Sequence, residues 1–337
     1  MHHLKTSQNS RSITRSLRGH ATLYILVLVA MLSMVLFLIA QVVAKPQASS
    51  DTVGAIVPVS NELQEPVDVV VVKEVRIATL LPFAADQLLA MGVQPVCVPG
   101  LRGRTPAAWE GIPTVQLDHS AGPNLEQLIA VQPDYIISGS VYAQFMPNVE
   151  SITKAKVIMM DVESIQSVMD HMQTLGRIAS RPDEADKMIA SLQKRLVPKV
   201  SMPESEEVSV LGIFGTPHSF YAFLPDSYLG DLVRHAGGRI GPEGLESHKI
   251  YRGLAPLSME TVIAFDPDVL FVLFHGPEES SRAMFEGDPL WSSLKAVSED
   301  RMYFLQDDMY AMRPGSQLDL AMSQIHDYVQ GANRELR

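Results

Sequence analysis

Cysteine is almost missing from this sequence, which has Cys97 as its only one among 337 residues. A single cysteine excludes an internal disulfide framework, a zinc site made of cysteines and an iron–sulfur cluster. It also leaves no thiol beside the N-terminal apolar segment to carry a lipid. With 46% hydrophobic and 19% charged residues, the composition is that of a packed globular chain. We expect Cys97 to be a small core residue within a strand.

Basic residues are scarce beyond the N-terminus. Residues 1–44 contain Lys5, Arg11, Arg15 and Arg18 and no acidic residue, which leaves 23 basic against 38 acidic residues in the rest of the chain. Nucleic-acid binding needs a basic face that contacts phosphates. The acidic body therefore argues against nucleic acid as a partner.

Three catalytic signatures are missing from the sequence: His-Glu-x-x-His, Gly-x-Ser-x-Gly and the phosphate-binding Gly-x-x-x-x-Gly-Lys-Ser/Thr. The sequence therefore gives no motif that favours an enzyme, and we do not expect one. A metallochelatase-like enzyme with two lobes stays open as an alternative, since one fold can host several functions.

A long uncharged segment extends from residue 21 to residue 44, and residues 23–40 are almost wholly apolar. As a helix it would cross a hydrocarbon core of about 30 Å, and the basic flank before it predicts a cytoplasmic tail over residues 1–20. Two interpretations stay open. We favour an uncleaved transmembrane anchor in the inner membrane because the apolar run is long; the alternative is a signal peptide cleaved after Ala44. Either way residues 45–73 form a linker and the body is periplasmic or extracytoplasmic.

Two segments of the body resemble each other. Residues 124–137 align without gaps on residues 258–271, with a glutamate, an Ile-Ala pair and a Pro-Asp pair at matching positions. Each copy predicts a short amphipathic helix, a turn and a strand buried on both faces. Two distant copies of this unit fit two similar α/β lobes better than a solenoid, whose repeats are shorter.

Strand-like and helix-like segments alternate through the rest of the body, which predicts a mainly parallel, three-layer sheet in each half. Between the halves, Ser164 begins a helix that breaks at Arg181-Pro182 and restarts through about residue 196. We interpret this stretch as one long helix that joins the lobes. The predicted domains are an N-terminal α/β lobe (74–162), an interlobe helix (163–203) and a C-terminal α/β lobe (204–337).

From about residue 75 to residue 337 the chain resembles the periplasmic substrate-binding proteins of ABC importers for cobalamin, ferric siderophores and haem. The motifs that carry the resemblance are residues 123–134, 175–176 with the helix at 184–196, 228–238, 257–268 and 288–291. The resemblance implies two Rossmann-like lobes joined by one backbone helix, with the ligand in the cleft between them. It also implies a monomer whose partner is an ABC permease dimer with its ATPase.

The repeated glutamates acquire a role through this resemblance. In the family, a glutamate on the exposed face of each lobe pairs with arginines of the permease dimer, and the matching positions here are Glu126 and Glu260. Two carboxylates in pseudo-twofold positions suit docking onto a twofold partner. The alternative is that both are ordinary solvated glutamates on helices.

Ligands of open α/β lobes bind beyond the carboxyl ends of the strands. The loops expected there hold many histidines, tyrosines and an arginine, which favours a large, flat or metal-bearing ligand. The candidate ligand-binding residues are His119, Tyr142, His218, Tyr221, His248, Tyr251, Tyr310 and Arg313, with His275, Arg102 and Arg104 as further possibilities.

His119 lies seven residues before Glu126, where haem-binding relatives carry an axial ligand, and imidazole is a good donor to haem iron. Its alternative is a loop histidine bonded to Asp118 or to solvent. Arg313 suits the planar acceptors of a propionate or siderophore carboxylate. No direct protein metal site and no intrinsic cofactor are predicted.

The function predicted from the sequence is capture of an iron complex, haem or a ferric siderophore, for an ABC importer. Cobalamin is less favoured as the cargo, because residues 249–254 lack the tryptophan expected of a cobalamin binder. An anchored ligand sensor or scavenger without transport also stays open.

Overall fold

The computed structural model describes residues 74–101, 105–273 and 278–336. The predicted cytoplasmic tail, the apolar segment and the whole linker lie outside the described residues, as do Arg102, Arg104 and His275. Within the described part, no helix combines the length and the apolar character needed to traverse a bilayer.

The chain alternates strands and helices, as expected. The strands are β1 (Ile77–Thr79), β2 (Val98–Pro99), β3 (Thr114–Val115), β4 (Leu117–Asp118), β5 (Gly122–Pro123), β6 (Tyr135–Ser138), β7 (Lys156–Met159), β8 (Val208–Thr216), β9 (Ser219–Phe223), β10 (Gly238–Ile240), β11 (Leu254–Pro256), β12 (Val269–Leu273) and β13 (Met302–Leu305). The helices are α1 (Pro82–Ala90), α2 (Leu125–Ala130), α3 (Met146–Thr153), α4 (Ile165–Ile178), α5 (Pro182–Gln193), α6 (Tyr228–His235), α7 (Met259–Phe265), α8 (Glu278–Gly287), α9 (Pro289–Ser292), α10 (Lys295–Ser298) and α11 (Leu318–Leu336). Short 3₁₀ turns cover Ala107–Trp109, Ser140–Phe145 and Glu204–Glu206, and a π-helical turn covers Asp308–Met312.

The first lobe is built on a parallel sheet in the order β1-β6-β7. A bridge between Ala78 and Cys97 leads on to the parallel pair of β2 and β3. Cys97 is fully buried, and burial raises the pKa of its thiol to about 12. Cys97 is therefore an unreactive core residue, as the sequence predicted.

The second lobe has a mixed sheet, which differs from the mainly parallel sheet predicted. β8 pairs in parallel with β10 and β12, and β12 pairs in parallel with β13. β9 is antiparallel to both β8 and β11, and residues 217–218 form the turn of the β8–β9 hairpin. Gly215 makes this possible, because its φ is +136° and a Cβ there would lie 2.3 Å from the carbonyl oxygen of Ser219.

β12 shows the three-layer arrangement of the second lobe most clearly. All five of its residues are fully buried. Val269 and Phe271 pack into one apolar cluster, whereas Leu270 and Val272 pack into another. Successive side chains of a strand point to opposite faces, so helices must cover both faces of this sheet.

The two copies of the internal repeat have the predicted structure, and the aspartate of each Pro-Asp pair explains part of it. Asp134 accepts a hydrogen bond from Arg76 N at 2.9 Å and returns one from its own N–H to the Arg76 carbonyl at 2.8 Å. Asp268 makes the same two bonds with Ser209, at 2.9 and 3.0 Å. Each aspartate thus ties the start of its strand to the start of the neighbouring parallel strand.

The connection between the lobes is not the single long helix predicted. α4 begins at the N-cap Ser164, whose side chain exchanges hydrogen bonds with Ser167 as a capping box. Ser180 then adopts a φ of +56° and Pro182 begins α5. α5 packs back against α4, and Gly176 permits this because a Cβ there would lie 2.5 Å from the Cβ of Ala185. The connector is a helical hairpin.

His171 of α4 stacks on Phe83 of α1, with ring centroids 5.4 Å apart. Burial lowers the pKa of His171, although Asp161 and Asp170 oppose the shift. A histidine whose folded pKa is depressed contributes stability above its unfolded pKa of about 6.5, and this stability is lost as the pH falls.

We therefore expect the thermal midpoint of the wild-type protein to fall more between pH 7.5 and pH 5 than that of His171→Asn. Thermal unfolding followed by circular dichroism checks this. His218→Asn is the matched control, because the side chain of His218 is 84% exposed. Identical pH profiles for wild type and His171→Asn would contradict the assignment.

Candidate ligand cleft

Five of the predicted ligand-binding side chains form one group of rings, here called the cleft cluster: His119, Tyr142, Tyr221, His248 and Tyr251. The first two belong to the first lobe and the other three to the second. Ring centroids lie 5.9 Å apart for His119 and Tyr142, 6.0 Å for His119 and Tyr251, and 5.6 Å for Tyr221 and His248. The rings of His248 and Tyr251 stack at 5.0 Å. Residues far apart in sequence thus meet at the boundary of the lobes.

A hydrogen bond crosses this boundary within the cleft cluster. His119 Nδ1 lies 3.3 Å from the Tyr251 hydroxyl oxygen. When Nδ1 carries the proton and donates to this oxygen, Nε2 keeps its lone pair, which is the form of imidazole that binds a metal. The phenol then orients the ring. The pair can therefore present His119 Nε2 to an iron atom in the cleft.

The turn that carries His119 is fixed by its neighbour. Asp118, at the end of β4, accepts hydrogen bonds from Ser120 N at 2.7 Å and Ala121 N at 2.8 Å. These backbone bonds, that of Ala121 first, lower the pKa of Asp118. Because the carboxylate is engaged with the backbone, the exposed His119 ring is bonded to Tyr251 and not to Asp118 as in the alternative considered from the sequence.

The second-lobe side of the cleft cluster rests on the β9 strand and the loop before β11. Tyr221 lies in β9 opposite Phe214 and Pro256. His248 Nδ1 accepts hydrogen bonds from the backbone N–H groups of Ile250 and Tyr251, both at 3.2 Å. Its proton therefore lies on Nε2. In this arrangement His248 is a hydrogen-bond donor to a ligand and a poor iron ligand.

Three predicted ligand residues lie outside the cleft cluster: His218, Tyr310 and Arg313. His218 lies in the turn between β8 and β9, with Nδ1 4.0 Å from Asp288 Oδ2. Tyr310 is only 2% exposed, and its hydroxyl donates to Gln324 Oε1 at 2.7 Å. Burial raises the pKa of Tyr310. The structure thus places Tyr310 in the core of the second lobe.

Arg313 joins the lobes. Its Nη1 donates to Asp86 Oδ2 of the first lobe at 3.2 Å, and its Nε donates to Asp308 Oδ1 at 2.8 Å. Ser316 Oγ donates to the same Asp86 oxygen at 2.8 Å, and Trp109 Nε1 donates to Asp86 Oδ1 at 3.0 Å. Both acceptors of the Arg313 guanidinium are thus protein carboxylates.

Sequence reasoning missed this group around Asp86. Nothing local marks an aspartate in the middle of α1 as special, and its partners Trp109, Arg313 and Ser316 come from distant segments. Only the packing of one lobe on the other creates it. Among the described residues, no three side chains of His, Cys, Asp or Glu gather as a metal site.

The predicted docking residues lie on matching faces of the two repeat helices. Glu126 on α2 and Glu260 on α7 are both exposed. Each has an isoleucine three positions later that is also exposed, 48% for Ile129 and 43% for Ile263. Residues three apart share a helix face. The repeat therefore presents the same charged and apolar pair on each lobe.

A sequence profile described as "Periplasmic binding protein" matches residues 77–309. The chain belongs to this family. The resemblance inferred from the sequence motifs is thereby confirmed. The high-affinity heme uptake system protein IsdE of Staphylococcus aureus is 25% identical over 211 residues, which cover 61% of this chain and 70% of that protein.

Solved structures of other periplasmic binding proteins share the fold. An ABC transporter substrate-binding protein from Listeria monocytogenes EGD-e superposes with a TM-score of 0.64 at 20% identity, covering 77% of this chain and all of the other. S. aureus IsdE complexed with heme gives 0.60 at 22% identity, with 76% and 99% covered. FeuA from Bacillus subtilis, complexed with ferri-bacillibactin, gives 0.58 at 18% identity, with 77% and 91% covered. At these identities the likeness establishes the fold alone.

Proposed function

We propose that this periplasmic binding protein captures an iron complex, haem or a ferric siderophore, between its lobes and delivers it to an ABC permease with its ATPase. The observation that carries the proposal is the cleft cluster, in which His119 of one lobe meets Tyr251 of the other at 3.3 Å. Cargo bound beside this pair would contact both lobes at once, so its binding would set their relative position.

The chemistry of the cleft cluster supports an iron complex as cargo. Imidazole and phenolate are common ligands of haem iron, and tyrosine rings offer flat apolar faces to a macrocycle or a catecholate. His248 Nε2–H adds a donor for a carboxylate or a catecholate oxygen. Haem leads among the iron complexes because the matched relative IsdE is named for heme uptake.

Arg313 has a different role in this proposal from the one expected. Since its guanidinium is held by Asp86 and Asp308, it stabilises the contact between lobes and does not grip a cargo carboxylate. A partly buried guanidinium that is already paired with two carboxylates gains little from a third, which would also disturb the geometry of the existing pairs.

Delivery rests on the exposed faces of α2 and α7. We infer that Glu126 and Glu260 dock onto arginines of the two permease subunits, and that Ile129 and Ile263 add apolar contact beside each ion pair. The charges would set register and encounter rate, whereas the isoleucines would exclude water. The protein would act as a monomer held at the inner membrane by residues 21–44.

Uptake into vesicles tests this function. Membrane vesicles that contain an ABC permease with its ATPase from the source of this chain should accumulate haemin or a ferric siderophore only when both the protein and ATP are present. ATP-dependent uptake that is equal with and without the protein would contradict a role in delivery.

A further inference from the structure

A concave site apart from the cleft cluster lies where the connector hairpin meets both lobes. This hinge pocket has a volume of about 420 Å³. Its lining comes from the end of α1, from both connector helices and from the segment that leads into α11. The lining residues are Ala90, Met172, Lys187, Met188, Ser191, Leu192, Arg195, Gly315, Ser316, Leu318 and Asp319. The volume and the interdomain position are typical of small-molecule sites.

The wall of the hinge pocket is apolar at depth and cationic at its rim. Met172, Leu192 and Leu318 are buried, whereas Lys187 is exposed. Arg195 donates to Asp319 at 2.7 Å, so those two charges offset each other. Lys187 makes no ion pair among the residues that the structure describes. The pocket therefore carries one uncompensated positive charge above an apolar floor.

Buried polar groups without partners occur on the helices that form these walls. Gln87 of α1 is 3% exposed and lies three residues before Ala90, and neither amide atom has a hydrogen-bond partner within the described chain. His171 Nδ1, next to Met172, is likewise buried and unpaired there. Such groups are uncommon, and both lie beside the pocket in sequence without being among the residues that line it.

We propose that the hinge pocket binds an amphipathic monocarboxylate with a short acyl chain. The chain would cover the methionine and leucine side chains, and the carboxylate would pair with Lys187 at the exposed rim. A monoanion neutralises the single free cation, whereas a dianion would leave a charge unpaired beside Asp319.

The position of the hinge pocket gives its occupant a structural consequence. Ser316 belongs to its wall and also donates to Asp86 across the lobes at 2.8 Å. Gly315 packs against the connector, since a Cβ there would lie 2.7 Å from Val168. A ligand seated against this segment binds only the arrangement in which the lobes and the connector meet, and so stabilises it.

Calorimetric titration of the full chain with octanoate, without any iron complex, tests the proposal. We expect saturable binding, an increase in the thermal midpoint, and a loss of affinity of roughly tenfold or more in Lys187→Glu. Ala90→Phe, which fills the pocket from an exposed position, should abolish binding. Lys194→Glu is the matched control, because Lys194 is an exposed lysine of the same hairpin outside the pocket, and it should bind as wild type does.

Three results would overturn the proposal: no saturable heat with octanoate, equal affinity for octanol or octylamine, or equal loss in Lys187→Glu and Lys194→Glu. Circular dichroism of each variant shows that it is folded. Because cargo plays no part in this titration, its outcome is separate from that of the proposed import function.

Discussion

His119→Ala is expected to change the haemin spectrum and weaken haemin binding strongly. If His119 Nε2 is the axial ligand, its removal replaces a nitrogen donor by water or by another side chain, so the Soret band shifts or disappears. Tyr251→Phe keeps the ring but removes the oxygen that orients His119, and loss of such a partner costs about 10–100-fold in metal affinity. Absorbance titrations of the two variants measure both effects.

The difference between the spectra of the two variants distinguishes an iron ligand from a residue that only orients the ligand. His119→Ala should change the spectrum, whereas Tyr251→Phe should retain the wild-type spectrum with weaker binding. His218→Ala serves as the matched histidine control and should behave as wild type. An unchanged Soret band in His119→Ala would refute its assignment as iron ligand.

The double variant Glu126→Ala, Glu260→Ala is expected to retain cargo affinity and to lose most of its ATP-dependent uptake. Both glutamates are exposed, and within the described residues no hydrogen bond or ion pair joins either of them to the cleft cluster. An interfacial ion pair between close charges couples by about 1.5 kcal/mol or more, so each lost pair should weaken docking by roughly tenfold. Uptake into vesicles, paired with a cargo titration, measures the two properties separately.

The matched control is the double variant Glu110→Ala, Glu279→Ala, which removes one exposed glutamate from each lobe away from α2 and α7. It should transport as wild type does. An equal loss of cargo binding in the Glu126 and Glu260 variant would mean that these residues support the fold or the cleft, and the docking role would be wrong.

The fold follows from the sequence wherever local patterns are consistent with the tertiary packing. The Pro-Asp pairs marked the start of β6 and β12, and their aspartates proved to anchor neighbouring strands through Arg76 and Ser209. The antiparallel strand β9 was not predicted. It follows β8 after only two residues, so the two strands were not recognised as separate elements. The hairpin connector was missed because a break before proline does not say in which direction the next helix runs.

The candidate site, like the fold, was predicted only in part from the sequence. Residue type and position in the chain led to five side chains that the structure brings together, although Tyr221 lies in β9 and Tyr142 is buried in the core of the first lobe. Their role as ligand residues stays a prediction. Tyr310 was named on the same grounds, yet it faces the core, because the π-helical turn that carries it has no clear sequence signal. The partners of Arg313 depend on how the lobes meet, which no local pattern encodes.

Capture of an iron complex is tested most directly by an absorbance titration of the purified protein with haemin, followed by ferric siderophores and cobalamin. We predict a saturable Soret shift at one equivalent of haemin, or saturable tryptophan quenching by a siderophore if that is the cargo. The absence of a saturable response to any iron complex, or saturation by cobalamin alone, would contradict the proposed function.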